Sequence, residues 1–166
     1  MSNIDIIISW ARENDKEVHS RGYIVLGPPG IGKTTFVESH SSAWVDADEI
    51  FPALGLHSEE WHSKQHSPEE EREHYQACDR ALGEMRTAGL WVIGSLFWEF
   101  EPDAIVLIDA ETHKSYVEKR RDLIWSNVQK IRAILEEIAT SKHIKIFETI
   151  SAAAMKPTLK QYVLKK

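Results

Sequence analysis

The sequence predicts an α/β fold, a three-layer α/β/α sandwich around a parallel sheet of about five strands. Three observations carry that expectation. The apolar runs at 90–93 and 104–108 are continuous rather than alternating, as strands buried on both faces are. Helical patterns separate the strand-like runs, which is the spacing that right-handed crossovers of a parallel sheet require. A chain of 166 residues with 42% hydrophobic content suits one compact domain over residues 1–166, long enough to bury most of its unfolded surface.

Taken in order, Ile4, Ile7, Ile8 and Ala11 repeat at helical spacing behind a cap at Ser2 or Asn3, so a short amphipathic helix should end near Asn14. Residues 23–26 are a β-rich run that stops at Gly27, followed by a glycine- and proline-rich loop and a helix over 33–39. A second short strand at 43–45 leads into Asp46, Asp48 and Glu49, and an irregular stretch follows over 51–66. Ser67, Pro68 and the glutamates at 69–71 form a helix start, because a cap, a proline at the first position and first-turn acids all suit unpaired N–H groups. Tyr75, Cys78, Leu82 and Met85 continue that helix as one apolar stripe that runs out at Gly89. After the strands at 90–93 and 104–108 come helices at 111–121 and 126–139, the second with Ile131, Ile134, Leu135 and Ile138 facing inward. Residues 144–147 supply a last strand, and the tail from Ser151 reads as weakly helical until Pro157.

Bulk charge narrows the partners. Twenty basic against twenty-six acidic residues leave −6, which argues against attachment to nucleic acid or anionic lipid by net charge alone. A single cysteine, Cys78, has no internal disulfide partner and reads as a small core residue of a cytoplasmic protein. No apolar stretch approaches the roughly 20 residues that cross a bilayer, so no membrane partner is expected.

The chemistry concentrates in Gly27-Pro28-Pro29-Gly30-Ile31-Gly32-Lys33-Thr34, which matches the phosphate-loop pattern G-x-x-x-x-G-K-[ST] at every fixed position, between a strand and a helix. Glycines are needed because successive N–H groups must turn inward around phosphate oxygens, where a side chain would block the approach. In such a loop Lys33 meets the β- and γ-phosphates, Thr34 offers its hydroxyl to Mg²⁺, and Thr35 follows on the helix whose positive end faces the anion. Switch GTPases and P-loop motors hold their metal with an acid at the end of another strand, whereas here residues 91–93 end in Gly94-Ser95. No Asn-Lys-x-Asp guanine-reading sequence is present, so ATP is the expected nucleotide.

With Val45-Asp46-Ala47-Asp48 after the second strand and the turn Gly94-Ser95-Leu96 after the third, the sequence resembles the small P-loop kinases of the shikimate, gluconate and nucleoside-monophosphate kind. That resemblance implies the P-loop NTPase fold and an ATP- and Mg²⁺-dependent phosphotransferase. It gives Asp46 the task of holding Mg²⁺ through water, and Asp48 that of orienting the acceptor hydroxyl and taking its proton. Ser95 belongs to the acceptor turn. A lid is implied near Lys119, Arg120 and Arg121, with 122–127 as its short arm, Arg120 meeting the transferring phosphate and Arg121 the nucleotide. The chain lacks an arginine-rich lid of the full adenylate-kinase kind, which favours a hydroxyl acceptor over a phosphate.

Among six tryptophans, Trp61 and Trp98 lie in segments expected to border the cleft, where they would stack on a flat acceptor such as a base; packing in the core or lid is the competing reading. His57, His62 and His66 have no cysteine nearby in sequence and read as a solvated polar stretch rather than a metal site. Three functions stay open: a kinase of a small, nucleotide-like acceptor, acting as monomer or homodimer; a kinase of a hydroxymethylated base within DNA, using Lys64, Lys114, Lys119, Arg120 and Arg121 as a local groove; and an ATPase or nucleotide switch with no acceptor.

Overall fold

The computed structural model describes residues 1–40 and 42–164. Five strands, β1 (Tyr23–Leu26), β2 (Trp44–Asp46), β3 (Trp91–Gly94), β4 (Ala104–Val106) and β5 (Ile146–Phe147), form one sheet in the order β2-β3-β1-β4-β5. Every pairing is parallel, with Tyr23 beside Trp91, Trp44 beside Trp91, Val25 beside Ala104 and Ile105 beside Ile146. Eight α-helices accompany it among the described residues: α1 (Asn3–Glu13), α2 (Lys33–Ser39), α3 (Ala47–Ile50), α4 (Glu59–Ser63), α5 (Pro68–Thr87), α6 (Ala110–Glu118), α7 (Trp125–Lys142) and α8 (Ile150–Leu164).

Alternation along the buried strands sorts the core into two layers. Ile24, Leu26, Val45, Val92 and Ile105 face α1, α3, α5 and α7, whereas Tyr23, Val25, Trp44, Ile93 and Val106 face α2 and α8. Both faces are therefore covered, which is why the strands read as continuous apolar runs. Ser67 caps α5 through a reciprocal pair with Glu70, and Ser2 does the same for α1 with Asp5. Among the described residues no helix is long and apolar enough to cross a membrane.

Three local expectations are corrected. In α7 the inward line is Val128, Leu135 and Ala139, with Ile131 and Ile138 partly buried, and Ile134 is 46% exposed, one position off that line. Pro157 does not end the last helix. It lies inside α8, whose small residues Ala153 and Ala154 pack against the sheet, so packing and alanine propensity outweigh the one hydrogen bond a proline forfeits. The second strand, expected to stop at 45, runs one residue further, so Asp46 closes β2 and only Asp48 lies beyond it, in the first turn of α3.

Candidate functional site

β1 is buried at all four positions and lies in the middle of the sheet, so the loop it feeds emerges at the carboxyl edge between β3 and β4, where the chain's path across the sheet changes direction. Gly27 opens the turn, its N–H donating to Gly94 O at 3.1 Å. Gly30 and Gly32 have φ of +83° and +91°, left-handed conformations that side-chain-bearing residues rarely adopt. At Gly30 space is short as well, because a Cβ would lie 2.9 Å from Val117 Cγ2 and 3.2 Å from Leu123 Cδ1.

A buried relay holds the loop from behind. Arg132 Nη1 donates to Ile108 O at 2.8 Å and to His113 Nδ1 at 2.9 Å. A guanidinium has no acceptor, so His113 must be the neutral Nε2–H tautomer, and its Nε2–H donates to Pro29 O at 2.8 Å. Burial lowers the His113 pKa, and the Arg132 charge acts in the same direction. Loop, α6 and α7 are thereby tied together at one carbonyl.

Gly32 is the N-cap of α2 and no side chain caps this helix. The first of its amides with a carbonyl partner is that of Phe36, to Gly32 O at 3.0 Å, which leaves the N–H groups of Lys33, Thr34 and Thr35 without an intrahelical acceptor. Lys33 folds back over the loop. Its ammonium donates to Gly27 O at 2.9 Å and to Ser95 Oγ at 2.6 Å, which joins the loop to the end of β3. The residue as a whole is partly exposed, yet its ammonium end is enclosed, and that burial pushes its pKa down to about 8. Asp46 and Asp48 oppose the shift, so both carboxylates act on the Lys33 charge. Burial raises the Asp46 pKa, against a stabilising hydrogen bond in which Oδ1 accepts Asp48 N–H at 3.0 Å.

These groups line one open cleft of about 1680 Å³. Pro29, Gly30, Ile31, Gly32, Lys33, Thr34 and Thr35 form its floor, and Asp46, Asp48 and Ser95 one wall. Arg120 stands at the rim with its guanidinium on Asp122, at 3.0 and 2.6 Å. The far end was not marked by any motif. Asp109, Arg132 and Glu136 line it with Glu148 and Thr149 from the β5–α8 turn. Their shared place follows from sheet order, which no local pattern encodes.

Other expected site residues lie elsewhere. Gly27 and Pro28 are buried beneath the loop, and Gly27 contributes its carbonyl to Lys33. Arg121 is exposed and does not line the cleft. Trp98 is 42% exposed beyond β3 and also lies outside it. Trp61 is taken up by packing, its indole stacked between His66 at 3.4 Å and His74 at 3.8 Å. The residues proposed as a basic groove are mostly paired, Lys64 with Glu60, Lys114 with Glu118 and Arg120 with Asp122. His57 and His66 are not solvated side chains but parts of an aromatic cluster that the fold brings against Cys78 of α5.

No protein-family model matches the chain, and no curated protein matches it.

Proposed function

We propose that the protein is an ATP- and Mg²⁺-dependent phosphotransferase that moves the γ-phosphoryl group of ATP to a hydroxyl of a small, nucleotide-like acceptor. The observation that carries the reading is the meeting, in one cleft, of a loop with two left-handed glycines, a helix start with uncapped amides, an enclosed lysine and two carboxylates, one at the end of β2 and one in the first turn of α3. The loop offers N–H donors and a cation to a polyphosphate, and the carboxylates line the same cleft near enough to act on the Lys33 charge. The Thr34 hydroxyl and the Asp46 carboxylate are hard oxygen donors of the kind Mg²⁺ takes, Asp46 through water. Bound there, the ion would neutralise phosphate charge.

In this reading Lys33 exchanges Gly27 O and Ser95 Oγ for phosphate oxygens, and Ser95, freed of the lysine, turns to the acceptor. Asp48 orients the acceptor hydroxyl and takes its proton as the new O–P bond forms and the bond to ADP breaks. Arg120 stabilises charge on the transferring group after leaving Asp122, a swap that costs little because that pair is exposed. Paired lysines and a net charge of −6 count against the DNA reading, and the absence of an acid directly after β3 counts against an acceptor-free ATPase.

A screen of nucleosides, nucleotides, metabolites with free hydroxyls, and hydroxymethylated DNA for uptake of γ-phosphate tests the assignment. Turnover should depend on one acceptor, and Asp48→Asn should abolish transfer while leaving ATP binding nearly intact. ATP hydrolysis indifferent to every acceptor would reject the kinase, and unchanged transfer by the Asp48 variant would reject it as the base.

A further inference from the structure

We propose that His57, His74 and Cys78 form a binding site for a soft divalent transition-metal ion of the Zn²⁺ class, separate from the Mg²⁺ position of the cleft. One ligand atom from each residue lies within 4.8 Å of those of the other two. Tetrahedral coordination, with metal–ligand distances near 2.0–2.3 Å, requires separations of about 3.3–3.8 Å, so a small side-chain movement closes the set.

The three residues come from two places that the fold brings together. His74 and Cys78 are one helical turn apart on α5, and His57 sits in the segment before α4 at a φ of +48°, a left-handed conformation unusual for a residue with a side chain. Cys78 is fully buried. His74 is 8% exposed as a whole residue and its ring somewhat more, yet its Nε2 is out of reach of solvent. His57 Nε2 is buried too, and neither nitrogen has a hydrogen-bond partner among the described residues.

Aromatic packing does not account for those nitrogens. The His74 ring lies flat on Trp61, and the His57 ring contacts Phe51 and Phe97 at centroid distances of 5.4 and 5.0 Å. These ring contacts leave both Nε2 atoms unpaired, and a buried polar atom without a partner is a standing cost to the fold. A metal ion satisfies both. His57 Nδ1 faces His62 Nε2 at 3.4 Å, so one ring nitrogen has a neighbour and the buried Nε2 is left as the free donor atom of the ring.

The donor set selects the ion. Two imidazoles and a thiolate suit Zn²⁺ and its soft neighbours, whereas Mg²⁺ takes oxygen donors. Without an ion, burial keeps the histidine neutral and the thiol protonated, His57 pushed down to about 4 and Cys78 up to about 12. On coordination the Cys78 proton leaves to solvent, and Zn²⁺ with one thiolate carries a net +1. Water fills the fourth position. The ion would clamp the segment carrying His57 and α4 to α5 beside the acceptor wall, where the charge of Asp48 already acts on both His57 and Cys78. The proposal does not rest on the phosphotransfer reading.

Cobalt titration of the chelator-treated full chain tests it. One Co²⁺ per chain should bind, with visible d–d bands of tetrahedral intensity and a near-ultraviolet thiolate charge-transfer band, and Zn²⁺ but not Mg²⁺ should bleach both. Cys78→Ser should lose the charge-transfer band, His57→Gln should weaken binding at least tenfold, and Lys33→Ala should leave the spectrum unchanged. Circular dichroism establishes that each variant folds; should Cys78→Ser fail to fold, the wild-type spectrum and the His57 variant decide. Absence of the charge-transfer band in the wild type, its survival in folded Cys78→Ser, or His57→Gln binding as tightly as the wild type would each overturn the site.

Discussion

Lys33 is the residue whose charge depends most on its surroundings. With burial holding its pKa down to about 8, Lys33 is half neutral at that pH in the free protein, and Arg120 pushes the same way. A bound polyphosphate favours the cation and raises the pKa, so above about 8 the complex holds a proton that the free protein lacks. ATP binding should therefore take up about half a proton at pH 8 and closer to a whole one above it, and affinity should fall as pH climbs through that value. Two units lower the lysine is charged in both states and uptake vanishes. Calorimetry in two buffers of different ionisation heat measures this directly, and Lys33→Ala should abolish the buffer dependence; proton uptake retained by that variant would assign it to another group. Lys33, Thr34, Asp46 and Asp48 were legible in the sequence because fixed spacing within a loop, or directly after a strand, keeps them together in any fold of that order. His113 and Arg132 were not, since their task is defined by Pro29 and Ile108, which only tertiary packing brings near. Of the two readings open for Trp61, packing is the one the fold bears out, and the sequence left it undecided for the same reason, as one of its stacking partners, His74, stands on a different helix.

At the scale of elements, the loop is held by α6 as much as by its own sequence. Gly30 and Gly32 share a left-handed backbone, yet a Cβ at Gly30 would press on Val117 of α6, whereas at Gly32 nothing among the described residues lies within 4 Å. Gly32→Ala should then cost only the backbone strain, about 1–2 kcal/mol. Gly30→Ala should cost more, roughly 2–4 kcal/mol once the displaced helix is included, and should weaken ATP binding by moving the Pro29 carbonyl off His113. Urea unfolding of the pair checks the ranking, and equal losses would remove α6 as a support. Sequence periodicity located α1, α5 and α7 because each has a strong apolar line or a good cap. It missed where two effects compete: α8 runs through Pro157 because packing wins, and the chain turns helical directly after Asp46 because the Asp46 side chain caps α3. Neither contest is visible in a window of a few residues.

For the whole molecule, the consequential fact is that β1 lies between β3 and β4, so that loops distant in sequence share one edge of the sheet. A parallel sheet with both faces covered was legible from continuous apolar runs, but strand order is a matter of long-range pairing and has no local signature. That order opens a cleft between the phosphate loop and β2 on one side and α7 with the β5–α8 turn on the other. Elements from both ends of the chain meet there, so a ligand that fills the cleft stabilises the fold globally rather than one loop. Mg²⁺·ATP at a hundred times its dissociation constant should add about 2.7 kcal/mol, which for a chain of this size raises the melting temperature by roughly 5–10 °C. Lys33→Ala should lose most of that gain, while Cys78→Ser should keep it, because the thiol belongs to the cluster with His57 and His74 and does not line the cleft. A thermal shift that is equal in wild type and Lys33→Ala would mean that nucleotide binds elsewhere, and the meeting of these loops at the sheet edge would then have no bearing on phosphate recognition.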